Sequence, residues 1–188
     1  MAFQQFRRGA LRVAKNYVKR YSDTQAKVRD ATSNDPPGPS GIQMNEIIQL
    51  SYNWNDFVEI MEMLHKRLND EGKNWRHVLK SLTVLDYLLH AGSENVVLYF
   101  RDNHLYIIKT LKEFQYVDED GKDCGANIRQ KAKDISNLLS DPARLQEERR
   151  TWASMRGPMI KGQANRGPDR DEDELREAIG ASKKTLAA

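Results

Sequence analysis

The sequence contains a single cysteine, Cys124, and no stretch of 18 consecutive apolar residues. One cysteine excludes an internal disulfide framework and suits a reducing compartment. The lack of a long apolar run argues against a membrane-spanning helix, and no apolar h-region suited to a secretory signal follows Met1. The 188 residues, 39% of them hydrophobic and 30% charged, therefore predict a soluble protein with one compact domain and some tail.

The residues that enzymes and metal sites require are few and unsuitably spaced. The four histidines (His65, His77, His90 and His104) and the one cysteine show neither zinc-ligand spacing nor a nucleophile–base motif. A glycine-rich phosphate loop is also lacking. We therefore predict no catalytic residue, no metal site and no cofactor.

Alternating β-branched runs are scarce and helical periodicity dominates, which predicts an all-α fold. Ser22 is placed to cap a first helix that ends near Ala31. Further helices are predicted at about 43–52, 55–69 and 74–92, with several more behind them. Short loops between helices of this length favour a right-handed superhelix of stacked α-hairpins.

Positive charge is concentrated at the start of the chain. Residues 1–40 hold eight basic side chains and three acidic ones, whereas the net charge of the whole chain is only +3. At about 100° per residue, residues 3–21 separate an apolar face from a cationic face. The candidates for membrane insertion on the apolar face are Phe3, Phe6, Ala10, Val13 and Tyr17. The opposite face carries Arg8, Arg12, Lys15 and Lys19.

Several interpretations of this opening segment remain open from the pattern alone. It is typical of a helix at a membrane interface, with apolar side chains at the acyl boundary and cations at anionic headgroups. A mitochondrial presequence, a ligand for calmodulin or nucleic acid, and an amphipathic helix docked on its own domain have the same pattern.

A second basic cluster lies in the stretch RLNDEGKNWRHVLK, which begins at Arg67. Lys73, His77 and Lys80 have i, i+4 and i+7 spacing, which predicts one ridge on one helical face. Lys73 lies near the start of a predicted helix, where free N–H groups and the helix dipole favour an anion. The ridge is a candidate phosphate site, and a solvated charged face is the alternative.

Five stretches share their order and spacing with a known family: KVRDATSND, EIMEMLHKRLNDEGKNWRHVLKSLTVLDYLL, GSENV, TLKEFQYVDEDGKDCGANIRQKAKDISNLLSD and RLQEERR. Together they resemble the epsin N-terminal homology (ENTH) domain, most of all that of fungal epsins, from about residue 6 to residue 150. The resemblance implies a helical superhelix that binds phosphatidylinositol 4,5-bisphosphate at the inner face of the plasma membrane. It also implies that the lipid induces an N-terminal amphipathic helix, which inserts and promotes curvature in clathrin-mediated endocytosis.

The resemblance assigns the headgroup-binding residues by position. They are Arg12, Lys15, Arg29, Asn34, Arg67, Lys73, His77 and Lys80. Leu11 stands where epsins often carry an arginine, so Arg7 and Arg8 are further candidates. The implied location is peripheral, on the cytoplasmic side of the plasma membrane at clathrin-coated pits and actin-rich endocytic sites.

The end of the chain, DEDELREAIGAS, resembles a ubiquitin-interacting motif. The implied ubiquitin-binding residues are Leu175, Ala178, Ile179 and Ser182. The family also implies an ANTH-domain adaptor that shares the lipid, as well as clathrin and adaptors bound through a further tail. No motif for those tail partners occurs here, so we expect an N-terminal piece of a longer protein.

The predicted organisation has four parts: a membrane-inserting segment at 1–21, the ENTH helical domain at 22–156, a linker at 157–170 and a ubiquitin-interacting helix at 171–186. The alternative function is that of a basic helical protein that binds nucleic acid. We consider it weaker, because the aromatic side chains of the opening segment lie on its apolar face rather than where bases would stack.

Overall fold

The computed structural model describes the backbone of residues 21–164 and the side chains of residues 21–155. In that part of the chain the regular elements are eight α-helices, two 3₁₀ turns and one π-helical stretch, without a β-strand. The α-helices are α1 (Asp23–Ala31), α2 (Gly41–Leu50), α3 (Trp54–Leu68), α4 (Trp75–Ala91), α5 (Glu94–Leu98), α6 (Leu105–Thr110), α7 (Ala126–Ser140) and α8 (Pro142–Ala164). The 3₁₀ turns are Gly72–Asn74 and Leu111–Glu113, and the π-helical stretch is Tyr99–His104.

Side-chain caps define where the first helices begin. The Ser22 hydroxyl accepts a hydrogen bond from the Gln25 backbone N–H at 3.1 Å, so Ser22 caps α1 as predicted. α2 begins two residues before the predicted position because Ser40 and Gln43 form a reciprocal capping box. Asn53 caps α3, which starts and ends within one residue of its prediction.

The core lies between α3, α4 and the helices packed on them. α4 packs against α3 and α7, while α1 packs against both α2 and α3. The fully buried side chains of the two central helices include Ile60, Met61, Leu64, Leu68, Leu82, Leu85, Leu88 and Leu89. Burial of each such side chain stabilises the fold by about 1.5–3 kcal/mol before entropic losses. The prediction of an all-α superhelical stack is confirmed, and the rigid core fixes the polar residues at its helix ends.

The chain divides into two compact units, residues 1–149 and residues 150–188. Of the second unit, the structure describes residues 150–164, and all of them are helical. The predicted linker at 157–170 is therefore helical as far as Ala164. A proline weakens a helix interior by removing one hydrogen bond, but the single Pro158 does not end this helix. The remainder of that linker, the helix predicted at 171–186 and residues 1–20 lie outside the described residues.

None of the helices that the structure describes is both long and apolar enough to cross a bilayer. Among the same residues, no group of three or more His, Cys, Asp or Glu side chains is arranged to hold a metal ion.

Candidate functional site

Four basic residues lie near the place where α1 and α3 end and α4 begins. Arg29 lies in the last turn of α1, Arg67 in the last turn of α3, Lys73 in the 3₁₀ turn before α4, and His77 in the first turn of α4. We call this group the cationic corner. Burial lowers the pKa of the Arg67 guanidinium, and the positive charge of Arg29 lowers it further. The two guanidinium groups are therefore close enough to repel each other.

Both guanidinium groups of the corner have an unsatisfied donor. The Arg29 guanidinium carbon lies 4.0 Å from the centroid of the Tyr21 ring. The Nε atoms of Arg29 and of Arg67 are buried and have no hydrogen-bond partner among the described residues. A buried donor without an acceptor destabilises a protein by about 1–3 kcal/mol. Because both Nε atoms are buried, a ligand cannot reach them directly, but two neighbouring cations favour an anion such as a phosphate.

The carboxylate of Asp70, between α3 and α4, contacts four polar groups. Its Oδ1 accepts hydrogen bonds from Asn74 Nδ2 and from the Glu71 backbone N–H, both at 2.9 Å. Its Oδ2 lies 2.7 Å from His77 Nδ1 and 3.7 Å from Arg67 Nη1. Burial opposes ionisation of Asp70, but the hydrogen bonds from His77, Asn74 and Glu71 outweigh it and lower the pKa of Asp70. Asp70 is therefore ionised at neutral pH.

His77 is held between an acid and a cation. Its Nδ1 donates to Asp70, while Arg67 Nη1 lies 2.8 Å from Nδ1 and 3.3 Å from Nε2. Burial lowers the pKa of His77; the hydrogen bond to Asp70 raises it, and the charge of Arg67 lowers it again. The net direction is downward, so the imidazole is neutral at neutral pH. A neutral ring that donates through Nδ1 presents Nε2 as an acceptor.

The predicted ridge of three residues is not present as such. Lys73 lies in the 3₁₀ turn before α4, so it is not on a face of that helix. Its side chain is 69% exposed, and its Nζ lies 2.5 Å from Glu71 Oε2. Lys80 is buried, with only 6% of the residue exposed, and its ammonium donates to the Asp35 backbone carbonyl at 2.6 Å. The i+3 spacing from His77 was correct for one face of α4, but the chain between α1 and α2 covers that face at Lys80.

Two polar contacts fasten this covering loop to the start of α4. Asn34 Nδ2 donates to Asn74 Oδ1 at 2.8 Å, and Lys80 holds the next residue, Asp35, through its carbonyl. Asn34 is itself exposed. The structure thus connects Asn34 through Asn74 to Asp70, and its headgroup role stays a prediction.

The start of α4 also favours an anion. Asn74, its N-cap residue, makes no side-chain capping hydrogen bond, and the first turn contains no acid. The N–H of Trp75, the first residue of α4, donates to the Gly72 carbonyl of the preceding 3₁₀ turn, so the positive end of the helix dipole rather than a free N–H favours an anion here. This end of α4 therefore adds to the anion preference of the corner.

The other predicted site residues lie outside the described part of the chain. This applies to the headgroup candidates Arg7, Arg8, Arg12 and Lys15, and to the insertion candidates Phe3, Phe6, Ala10, Val13 and Tyr17. It applies equally to the ubiquitin-binding candidates Leu175, Ala178, Ile179 and Ser182.

Sequence reasoning missed Asp70 and Asn74. An acid within a basic cluster gave no reason to select it for an anion site. The stretch NDEGKN nevertheless carries a signal, because Asn and Asp between two helices commonly make side-chain hydrogen bonds within the turn.

The fold and site define the class of this protein. The ENTH domain family matches residues 21–145, so the chain belongs to that family. Epsin-1 of Schizosaccharomyces pombe is 56% identical over 142 residues, which cover 76% of this chain and 20% of that protein. Epsin-1 of Saccharomyces cerevisiae is 52% identical over 176 residues, which cover 93% of this chain and 38% of that protein. The chain thus spans well under half the length of these two curated relatives.

Solved structures agree with this assignment. The endocytic adaptor complex AENTH contains a chain 54% identical to this one, with a TM-score of 0.72, over 80% of this chain and 99% of that one. The ENTH domain from epsin-2 in complex with phosphatidylinositol 4,5-bisphosphate is 57% identical, with a TM-score of 0.70, over 73% and 96%. A chain of the helical ANTH and ENTH tubules on PI(4,5)P2-containing membranes is 51% identical, with a TM-score of 0.66, over 89% and 100%.

Proposed function

We propose that this chain is a non-catalytic endocytic adaptor module that binds the headgroup of phosphatidylinositol 4,5-bisphosphate at its cationic corner. The observation that carries the proposal is the approach of two guanidinium groups, Arg29 and Arg67, close enough for the charge of Arg29 to lower the pKa of Arg67. A phosphomonoester supplies several anionic acceptor oxygens to such groups. The bound lipid of the epsin-2 ENTH domain supports this choice of ligand.

The opening segment completes the proposed site. Arg12 and Lys15, with Arg7 and Arg8 as further candidates, approach the headgroup from residues 1–20 and order that segment as a helix. Phe3, Phe6, Ala10, Val13 and Tyr17 then enter the acyl boundary, where shallow insertion promotes curvature. The expected location is the cytoplasmic leaflet of the plasma membrane at clathrin-coated and actin-rich endocytic sites.

The proposed partners extend beyond the lipid. An ANTH-domain adaptor that shares the lipid is supported by the mixed ANTH and ENTH tubules formed by a similar chain. Ubiquitin binding through Leu175, Ala178, Ile179 and Ser182 rests on the sequence motif alone. Binding of clathrin and adaptors through a longer tail rests on the family resemblance.

Liposome flotation tests the lipid proposal. The protein should float with vesicles containing phosphatidylinositol 4,5-bisphosphate, and much less with phosphatidylserine vesicles of equal total charge or with neutral vesicles. Arg67→Gln should reduce flotation, while Arg144→Gln, which removes one positive charge from a surface pair with Glu148, should not. Equal flotation with neutral vesicles, or preferential binding to an added DNA duplex, would contradict the proposal.

A further inference from the structure

An acidic side chain stands in the middle of a site that attracts anions. Asp70 is ionised, and only 21% of its side chain is exposed. On charge alone it should weaken the binding of a phosphate, because like charges repel. Its contacts point to a different role.

The first of these contacts connects Asp70 to the loop after α1. The Asn74 amide donates its N–H to Asp70, which turns its oxygen towards Asn34, and this oxygen accepts from Asn34 Nδ2. Since Asn34 is otherwise exposed, the chain Asp70–Asn74–Asn34 fixes the orientation of a headgroup candidate.

The second set of contacts acts on the cations. Asp70 supplies the negative charge next to Arg67, which is otherwise subject to burial and to repulsion from Arg29. It also accepts from His77 Nδ1 and thereby sets the ring orientation and the tautomer. Without this carboxylate, Arg67 would lose the neighbouring negative charge that offsets the repulsion from Arg29, and His77 would lose its acceptor.

We propose that Asp70 is a positioning residue of the anion site, with Asn74 as its link to Asn34. The carboxylate holds Arg67, His77 and Asn34 in the arrangement that receives a phosphate, and this benefit exceeds its repulsion of the ligand. The inference rests on the proposed headgroup binding and names a residue that acts through its neighbours.

Glu71 provides a matched control, because it carries the same charge one residue further on. Its side chain is 70% exposed and pairs with Lys73. Loss of either negative charge should favour an anion if only long-range electrostatics matters. If Asp70 is a positioning residue, the two substitutions should change affinity in opposite directions.

The experiment titrates soluble inositol 1,4,5-trisphosphate into wild type, Asp70→Asn and Glu71→Gln at equal ionic strength. We expect Asp70→Asn to weaken binding about fivefold or more, since it disturbs several charge-assisted hydrogen bonds. Glu71→Gln should tighten binding about twofold, because it frees Lys73 and removes an exposed charge. Equal tightening by both variants would overturn the inference.

Asn74→Ala is a second variant that keeps the inference testable if Asp70→Asn misfolds. It breaks the link to Asn34 without altering any charge, so an electrostatic role predicts unchanged affinity. We expect binding about threefold weaker with a normal helical circular dichroism spectrum. Unchanged affinity in this variant would count against the linking role.

A ligand-free measurement separates the inference from the proposed function. In a proton NMR titration of the empty protein, Asp70→Asn should lower the pKa of His77 below its wild-type value, and Glu71→Gln should leave it nearly unchanged. If the pKa of His77 does not change in Asp70→Asn, the positioning role is wrong, even if the wild type binds the headgroup. Failure of the wild type to bind inositol 1,4,5-trisphosphate sinks the proposed function instead, whatever His77 does.

Discussion

The two ends of α4 hold polar clusters of opposite kind. At its start, Arg67 and Asp70 contact His77, and Arg29 and Lys73 lie at the neighbouring helix end and turn. At its end, His90 lies between two acids, Asp86 and Glu148. Each of those acids also binds a further cation.

The cluster at the end of α4 is balanced in detail. His90 Nδ1 donates to the Asp86 backbone carbonyl at 2.7 Å, and Nε2 lies 2.9 Å from Glu148 Oε2. Lys131 donates to Asp86 Oδ2 at 2.9 Å, and Arg144 donates to Glu148 Oε1 at 2.7 Å. These pairs join α4, α7 and the first part of α8. We infer that charge at this end stabilises the domain, whereas the excess of cations at the start serves a ligand.

Arg149→Ala is expected to have the largest effect, at the balanced end. Arg149 donates from Nη1 to the Leu89 carbonyl at 2.5 Å and from Nη2 to the Gly92 carbonyl at 2.7 Å, which caps α4. Loss of both bonds should lower the free energy of unfolding by about 2–3 kcal/mol, measured by urea denaturation. Affinity for inositol 1,4,5-trisphosphate should not change. If the variant also bound this ligand more weakly, the distinction between the two ends of α4 would be wrong.

Arg67→Met should have the opposite profile. It removes a partly buried cation that is repelled by Arg29, so the free energy of unfolding should not fall. Affinity for inositol 1,4,5-trisphosphate should fall about tenfold or more, as expected for loss of a guanidinium–phosphate contact. The control, Lys66→Met, removes an exposed charge one residue away and should change affinity far less. A large drop in stability for Arg67→Met would show that the corner is structural.

The pH dependence of stability offers a third comparison. Because the folded state lowers the pKa of His77, it favours the neutral ring relative to the unfolded chain. This contribution is present above the ordinary histidine value of about 6.5 and is lost as pH falls through it towards the folded value. The pKa of Asp70 is also lowered, so its own contribution to stability is lost only at more acidic pH.

The corresponding measurement is a thermal melt at pH 7.5 and at pH 5.5. The melting temperature should fall on acidification, and His77→Gln should make that fall smaller. An identical pH dependence in the variant would show that His77 is not held neutral by the fold.

Lys73→Gln should have the smallest effect. Lys73 is exposed and already paired with Glu71, so its loss should weaken binding of inositol 1,4,5-trisphosphate only about twofold. The slope of affinity against salt concentration should decrease as well, since one cation fewer meets the phosphates. An effect as large as that of Arg67→Met would mean that the exposed fraction of a basic side chain does not determine how much it contributes to binding.

Helical periodicity was sufficient to predict the helices that bury a continuous stripe. α3 and α4 agree with their predicted bounds within one residue because apolar positions recur every three or four residues. The start of α2 was harder to predict. Ile42, in its first turn, is 74% exposed and adds nothing to an inward stripe, so only the capping box of Ser40 and Gln43 marks that turn.

The site was predictable by residue type but not by environment. Arg29, Asn34, Arg67 and His77 do lie near one another, because the order of the helices brings their ends together. The burial of Lys80 depends on how the loop through Asp35 folds over α4, and that is a tertiary contact without a local signature. Asp70 escaped prediction for a related reason, since its role follows from its partners rather than from its charge.

The hydrogen bond from Lys80 to Asp35 has a consequence for chemical footprinting. Amine-reactive reagents modify lysines whose ammonium groups reach solvent, so Lys73 should be labelled readily and Lys80 should be protected in the folded protein. Protection at Lys80 then reports the integrity of the loop after α1, while protection at Lys73 reports occupancy of the corner. A single mass-spectrometric map thus distinguishes a variant that has lost its ligand from one that has lost its fold.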